Sequence, residues 1–438
     1  MDPFLTGVVA GANGEIFELE GYAAVGMAGP VLVPLSRKQT LRMPHGGELM
    51  MLPERKPVLF NIDENRFEAL GENPYNPAEP IFPVAAFNSP GYFNTHVSAF
   101  QEREKARHLP LFSYGAVGWN GTGFSTASIL VDPEPRQDLR KMEIENVRAG
   151  VKKILKIMPE NRLRMHLEKC ALTYGCPAGK NFFLGRYEAP LPTSTACNAD
   201  CLGCISLQNH PEIKCSQDRI AFTPTPREIA EVALYHIGRV DRAIVSFGQG
   251  CEGDPLLAAH VIEPAIALIR GKTSKGTINL NTNGSRPEIV ERLFAAGLDS
   301  IRISINSVRE NCYKAYFRPR GYVLGDVLAS IDWAIRLQKF VSLNYLNCPG
   351  FTDTPQEFTA LCDFLKERPV NMIQWRNLNF DPLRYWEVME KVEPHGMPLG
   401  MKKIFNKLKK EFPRLRHGYF NPPRESFEFR PDGNEVKL

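Results

Sequence analysis

At 438 residues, 43% hydrophobic and 23% charged, the chain has room for about two to three domains with real cores and lacks the bias of a disordered or fibrous protein. Lys plus Arg number 53 against 49 Asp plus Glu, a net charge of +4, which neither demands nor excludes nucleic acid. The opening "MDPFLTGVVAGANGEIF" lacks a basic stretch before an apolar run, so no signal peptide is expected, and ten cysteines without one imply a reducing cytoplasm in which some thiols hold metal.

Residues 1 to about 60 read as short strands and turns: "GEIFELEGY", "GPVLVPLS" and "ELMMLP". The longest apolar tract, "YAAVGMAGPVLVPL", is too short and too rich in Gly and Pro to span a bilayer, so no membrane association is expected. "MPHGGELMMLPERKP" gathers His45, two glycines and Glu48 in what reads as a tight turn, with a substrate or partner surface as the alternative. The stretch to about 137 is rich in Pro, Asn, Gly and aromatics with little periodicity, and is expected to be ordered by contacts rather than by its own hydrogen bonds. Helical spacing runs from Leu139 to about Leu172, and "KCALTYGCPAGKN" then places Cys170 and Cys176.

From "GRYEAPLPTST" onward, strands alternate with helices. "PREIAEVALYHIGRV" is a helix with Pro226 in its first turn, where a missing N–H is harmless; "RAIVSFG" is a strand and "PLLAAHVIEPAIALIRGK" a helix. The pairs "GTINLNTNG" and "RPEIVERLFAAG", "SIRISINS" and "LGDVLASIDWAIRLQ", "FVSLNYLNCPG" and "TPQEFTALCDFLKER", and the strand "VNMIQWRNLN" complete six units, the last helix unplaced. Continuously apolar strands between helices indicate a covered parallel sheet. Six units are too few for a closed eight-stranded barrel, so the expected fold is α/β, a partial (β/α)6 TIM-like barrel. The expected division is a β-rich, irregular N-terminal domain over 1–138, a helical linker region over 139–184, the barrel over 185–380 and a C-terminal extension over 381–438.

In such sheets functional groups gather beyond the carboxyl ends of the strands. "TACNADCLGC" follows the first strand, "GQGCEGDPLL" the second and "NTNGS" the third; "INS", "NCPGFTD" and "RNLNFD" end the others. Cys197, Cys201 and Cys204 on their own fit an iron–sulfur cluster with one iron left open, a zinc site, or a four-thiolate cluster completed by Cys215 or Cys251.

The C-x3-C-x2-C loop after a strand of a six-unit α/β region resembles the radical S-adenosylmethionine (radical SAM) superfamily, over about 185–380. The resemblance implies a 4Fe–4S cluster on Cys197, Cys201 and Cys204, with S-adenosylmethionine chelating the open iron. Reductive cleavage then gives methionine and a 5′-deoxyadenosyl radical, with an oxygen-sensitive cluster and a reductant such as flavodoxin or ferredoxin. "EGDPLL" resembles the family's glycine-containing segment for the methionine amino group, which implies Gly253 and Asp254. "NTNG", with Asn283 and Gly284, also recurs in the family, and with "SINS" it implies Asn283, Ser304 and Asn306 as S-adenosylmethionine contacts, while strand-end capping explains the same residues structurally. Arg318 is a candidate for the carboxylate. Gln374 and Arg376 are expected to point inward, with Met372 and Trp375 in the core. One departure is Gly203, where the family usually has an aromatic residue against the adenine; another is the extra glycines and Cys251 before Gly253.

Cys170 and Cys176, with Cys215 and Cys251, are candidates for an auxiliary cluster, against packing and turn roles. Cys348 is either a hydrogen donor at the rim or a buried inert thiol; Cys312 and Cys362 read as core. The histidines show no His-rich spacing. The basic, aromatic "MKKIFNKLKKEFPRLRHGYFNPPRESFEFRP" reads as a solvated helix and a strap, with RNA or peptide contact as the alternative. No catalytic side chain is assigned. A peptide or protein substrate is favoured over RNA or a small molecule, because the N-terminal region is large enough to grip one. The rival class is an iron–sulfur or zinc binding module without turnover.

Overall fold

The strands after residue 185 are buried on both faces, so they can pair only inside a layer of helices. The computed structural model, which describes residues 4–427, has seven of them: β1 (Glu188–Pro190), β2 (Ile244–Phe247), β3 (Thr277–Thr282), β4 (Ser300–Ile305), β5 (Phe340–Asn347), β6 (Met372–Asn377) and β7 (Arg416–Gly418). They lie in sequence order and all pairs are parallel. Each right-handed crossover therefore steps the same way, and the sheet curls into a partial barrel. The α/β partial barrel is thus the fold, with one strand more than expected. β7 has three residues, Arg-His-Gly, without an apolar run, so nothing in its pattern distinguishes it from a loop.

Helices α1 (Ile144–Ile157), α2 (Arg162–Leu172) and α3 (Pro177–Leu184) precede the barrel. α4 (Pro226–Ile237), α5 (Ala259–Arg270), α6 (Pro287–Ala296), α7 (Glu310–Phe317), α8 (Leu324–Arg336), α9 (Pro355–Glu367), α10 (Pro382–Val392) and α11 (Met401–Glu411) alternate with its strands. Local chemistry sets their ends. The Thr225 hydroxyl and Glu228 carboxylate form a capping box around Pro226 at the start of α4, and Gly297, at φ 115°, closes α6. α7 and α8 both lie between β4 and β5, where only the second is visible as a periodic pattern.

The N-terminal unit is an antiparallel assembly built on an 11-stranded sheet. The stretch expected to lack its own hydrogen bonds instead contains the twelve-residue strand Asn76–Phe87. Pro77, Pro80 and Pro83 mask it in the sequence. The strand tolerates them by changing partner along its length, pairing residues 81–83 with Val9–Gly11 and residues 84–87 with Glu48–Met51.

Segments outside the barrel pack against both of its ends. At the carboxyl rim, the backbone N–H of Asn94 donates to Asn377 Oδ1 at 2.7 Å, and Asn347 Nδ2 donates to the Asn94 carbonyl at 3.0 Å. Phe93 stacks on Trp375 with centroids 5.2 Å apart, confirming Trp375 as core. The N-terminal unit therefore sits over β5 and β6. At the other end, the Arg424 N–H donates to Thr277 Oγ1 at the first residue of β3, so the segment after β7 passes under the barrel. The expected basic helix and strap correspond to α11 and this segment, and the last residues of the quoted stretch lie outside the described residues.

Candidate functional site

The loop after β1 is laid along the end of α7. Asp200 N–H donates to the Phe317 carbonyl at 3.0 Å, Leu202 N–H to the Tyr316 carbonyl at 3.1 Å, and Cys204 N–H back to Cys201 at 3.2 Å. This packing accounts for Gly203. A Cβ there would stand 2.9 Å from the Tyr316 hydroxyl and 3.2 Å from the Asn379 carbonyl. An aromatic side chain has no room, because the ring of Tyr316 already occupies that side of the loop.

The three thiols are partly buried. Burial pushes Cys197 up to about 11. Cys201 is raised first by burial and then by the charges of Cys197 and Cys204, so the three sulfurs share one environment. Cys197 and Cys201 thus resist ionisation unless a cation binds the thiolate. One cation is supplied by the protein: Arg219 Nη2 donates to Cys204 Sγ at 3.7 Å.

The loops after β1, β2 and β3 are locked together. The Glu252 carboxylate accepts from the N–H groups of Thr193, Ser194, Gly248 and Gln249 at 2.7–2.9 Å. Complete burial nevertheless pushes it up to about 7. Gly253 N–H donates to the Ser194 carbonyl at 2.7 Å and Asp254 N–H to Ala196 at 2.9 Å; a Cβ on Gly253 would overlap the Ala196 carbonyl. Asp254 accepts from Thr282 Oγ1 at 2.8 Å and Asn283 N–H at 2.7 Å. Asn283 Nδ2 donates to Asn198 Oδ1 at 2.8 Å, inside the cysteine loop. Of the expected ligand contacts, Gly253, Asp254 and Asn283 are thus brought together, with the polar side chains of Asp254 and Asn283 joining loop to loop.

Ser304 and Asn306 lie on the next strand end. Ser304 Oγ accepts from Asn344 Nδ2 at 3.2 Å. Asn306 is fully buried and donates to the Cys312 carbonyl and the Tyr385 hydroxyl, each at 3.2 Å, while its Oδ1 has no protein partner. Arg318 is exposed at the C-cap of α7, with φ 46°. Inside the curl, Gln374 Oε1 accepts from Arg302 Nη1 at 3.1 Å and Arg376 Nη2 at 3.3 Å. β4 and β6 are not neighbours, so Arg302 and Gln374 meet only across the interior. Burial, then the Arg376 charge, pushes Arg302 down to about 9. Sequence reasoning missed Arg302; its signal is the lone basic residue in the alternating "SIRISI".

The remaining cysteines separate by environment. Cys215 is exposed, and Cys312, Cys348 and Cys362 are buried. Cys348, at the end of β5, has its thiol pushed up by burial, as an inert thiol would. The Cys170 and Cys251 sulfurs lie within 4.8 Å of one another. His166, missed in the sequence although it stands four residues before Cys170 on α2, lies beside them. His108, His210 and Glu212 also converge, from segments too distant in sequence to show a spacing.

Cys197, Cys201 and Cys204 could hold a 4Fe–4S cluster short of one protein ligand. Cys197, Cys201 and Cys204 are not among the described groups whose ligand atoms all lie within 4.8 Å of one another. A cubane, with a separate iron for each thiolate, calls for that wider spacing. The unpartnered Asn306 oxygen leaves an acceptor for a bound molecule near the same rim.

Residues 191–365 match the family model described as the Radical SAM superfamily. The chain is 22% identical over 317 residues to the uncharacterized protein MJ0103 of Methanocaldococcus jannaschii, covering 67% of this chain and 68% of that one. Among solved structures it is similar to native anSMEcpe with bound AdoMet, with 13% identity and a TM-score of 0.39 over 53% of this chain and 64% of that one. It is also similar to a radical SAM methyltransferase from Sphaerobacter thermophilus, with 14% identity and a TM-score of 0.39 over 55% and 68% of the two chains. The chain thus spans slightly less than two thirds of the length of the first of these structures. No helix of the described residues is long and apolar enough to cross a membrane.

Proposed function

We propose that this chain, a radical SAM enzyme by its domain over residues 191–365, reductively cleaves S-adenosylmethionine and uses the resulting radical to modify a peptide or protein. The domain's cofactors are a 4Fe–4S cluster and S-adenosylmethionine. In this reading Cys197, Cys201 and Cys204 hold the cluster, which, once reduced by a flavodoxin or ferredoxin, supplies the electron that breaks a C–S bond of the sulfonium.

The observation that carries the reading is the locked rim. The cysteine loop is tied through Ser194 and Ala196 to Gly253 and Asp254, and through Asn198 to Asn283. A site that must hold a nucleotide sulfonium against one metal corner needs these loops fixed relative to one another, since misplacement by about 1 Å is costly to rate. The chain's own residues would act by position: Gly253 permits the close approach of two backbones, Asp254 and Asn283 hold the loops in register, and Ser304 and Asn306 present polar atoms beside them. The N-terminal unit over β5 and β6 keeps water from that side of the rim. Its size supports a macromolecular substrate.

Anaerobic reconstitution followed by dithionite and S-adenosylmethionine tests the reading. A 4Fe–4S absorption band with 5′-deoxyadenosine and methionine as products is the expected result, and Cys201→Ala abolishes both. One equivalent of zinc with no iron and no cleavage would leave a binding module instead. The substrate class is tested by trapping adducts in anaerobic lysate: a small-molecule or RNA adduct would replace the peptide proposal.

A further inference from the structure

A second group of metal-ligating side chains lies behind the loop that carries Gly253. His166 and Cys170 stand one turn apart on α2, with Nε2 and Sγ 3.4 Å apart. Cys251 comes to them from the loop after β2, and all three ligand atoms lie within 4.8 Å of one another. Cys170 and Cys251 are buried. The arrangement is held from outside: the Cys251 carbonyl accepts from Ile220 N–H at 2.7 Å, and the His166 ring meets Phe222 edge-on at 6.4 Å. Cys176 N–H donates to the Cys170 carbonyl at 3.0 Å, which closes the end of α2.

Spacing separates the two kinds of metal these ligands could take. Around one tetrahedral ion with bonds of about 2.0–2.3 Å, ligand atoms stand roughly 3.3–3.8 Å apart. A cubane distributes its ligands over separate irons and holds them farther apart. His166 Nε2 and Cys170 Sγ stand at that spacing and all three ligand atoms lie within 4.8 Å, a closeness that the Cys197, Cys201 and Cys204 sulfurs do not share. An auxiliary cluster is therefore the poorer fit for these cysteines, and exposed Cys215 is not a member of the group.

We propose that His166, Cys170 and Cys251 bind a single zinc ion. Binding releases the thiol protons and involves no redox step. The ion joins α2, in the helical region before the barrel, to the residue preceding Glu252, whose carboxylate gathers four backbone N–H groups under the cysteine loop. Its role is to fix that loop, and it does not depend on the substrate proposed above.

The test is metal and sulfide analysis of the full-length protein, before and after anaerobic reconstitution, with Co2+ substitution as an optical probe. The expected result is about one zinc per chain besides the cluster iron. Cys170→Ser and His166→Gln lose the zinc and keep the iron, whereas Cys201→Ala loses the iron and keeps the zinc. Cobalt should give the intense visible bands of a tetrahedral thiolate site, and His166→Gln should lose them. Zinc that follows Cys201 rather than His166, iron near eight per chain with matching sulfide, or no metal beyond the first cluster would each overturn the site. Because His166→Gln is conservative and is read by metal content, loss of folding in Cys170→Ser would not decide the outcome.

Discussion

The guanidinium of Arg219 donates from Nη2 to Cys204 Sγ at 3.7 Å and from Nε to Ser206 Oγ at 3.3 Å. It is the cation set against a thiolate that, in the proposed function, ligates the cluster. Reduction adds a negative charge to the cluster, so a fixed positive charge beside one ligand favours the reduced state. Arg219→Gln should lower the midpoint potential by on the order of 50 mV, as expected when a one-electron couple loses about 1 kcal/mol of differential stabilisation. A redox titration followed by electron paramagnetic resonance measures this. An unchanged potential would mean that Arg219 only braces the loop through Ser206.

Gly253→Ala places a methyl group on the Ala196 carbonyl oxygen. Neither backbone can yield alone, since Asp254 N–H and Gly253 N–H both bind the opposing loop. The expected cost is about 2–4 kcal/mol of stability, with a cysteine loop that no longer retains reconstituted iron. Denaturant melts and iron content report the two effects separately. A variant with full iron and unchanged stability would show that the loops can part.

Most of the barrel was legible because its strands are short segments rich in Ile, Leu and Val between capped helices; "TINLNT", "SIRISI" and "FVSLNYLN" each became a strand where expected. The failures have physical reasons. β7 is too short and basic to show a pattern, and three prolines hid the strand Asn76–Phe87, which survives by switching partners. At the site, the cysteine spacing is local and therefore visible. The locking of Asn198 to Asn283 and the meeting of Cys170 with Cys251 depend on chain segments more than 80 residues apart that only the parallel topology brings together.

His236 is fully buried and makes contact through Nε2 with the Tyr187 carbonyl, and burial pushes it down to about 3 from 6.5. A base whose folded value lies below its unfolded value loses stability as pH falls, here from about 6.5 toward 3, because the unfolded chain takes the proton first. Glu252 has the opposite sign. Its folded value of about 7 lies above 4.5, so its contribution recovers as pH falls through that window. The wild type alone mixes the two, but the difference between wild type and His236→Gln isolates the histidine. Glutamine can still donate to Tyr187. The stability gap between the two proteins should close by about 1.4 kcal/mol per pH unit below 6.5, read from denaturant melts at pH 7.5, 6 and 5. A constant gap would mean that the imidazole is protonated in the fold.

Asn347 and Asn377 bind the backbone of residues 92–94 rather than each other, with Asn377 Nδ2 donating to the Tyr92 carbonyl at 3.1 Å and Asn377 Oδ1 accepting from the Asn94 N–H. They end β5 and β6, and they hold the N-terminal unit on the rim. Replacing both with Ala leaves the N–H and both carbonyls of that strand without side-chain partners at a buried contact, at about 1–3 kcal/mol for each unsatisfied group. Asn347→Ala/Asn377→Ala should therefore unfold its N-terminal unit before the barrel, giving two transitions in place of one and faster cleavage between residues 131 and 143 in limited proteolysis. Water then reaches the rim over β5 and β6, so cleavage of S-adenosylmethionine without product formation should rise relative to productive turnover. If the double variant still melts in one step, the stacking of Phe93 on Trp375 carries the contact, and Phe93→Ala should then separate the two units.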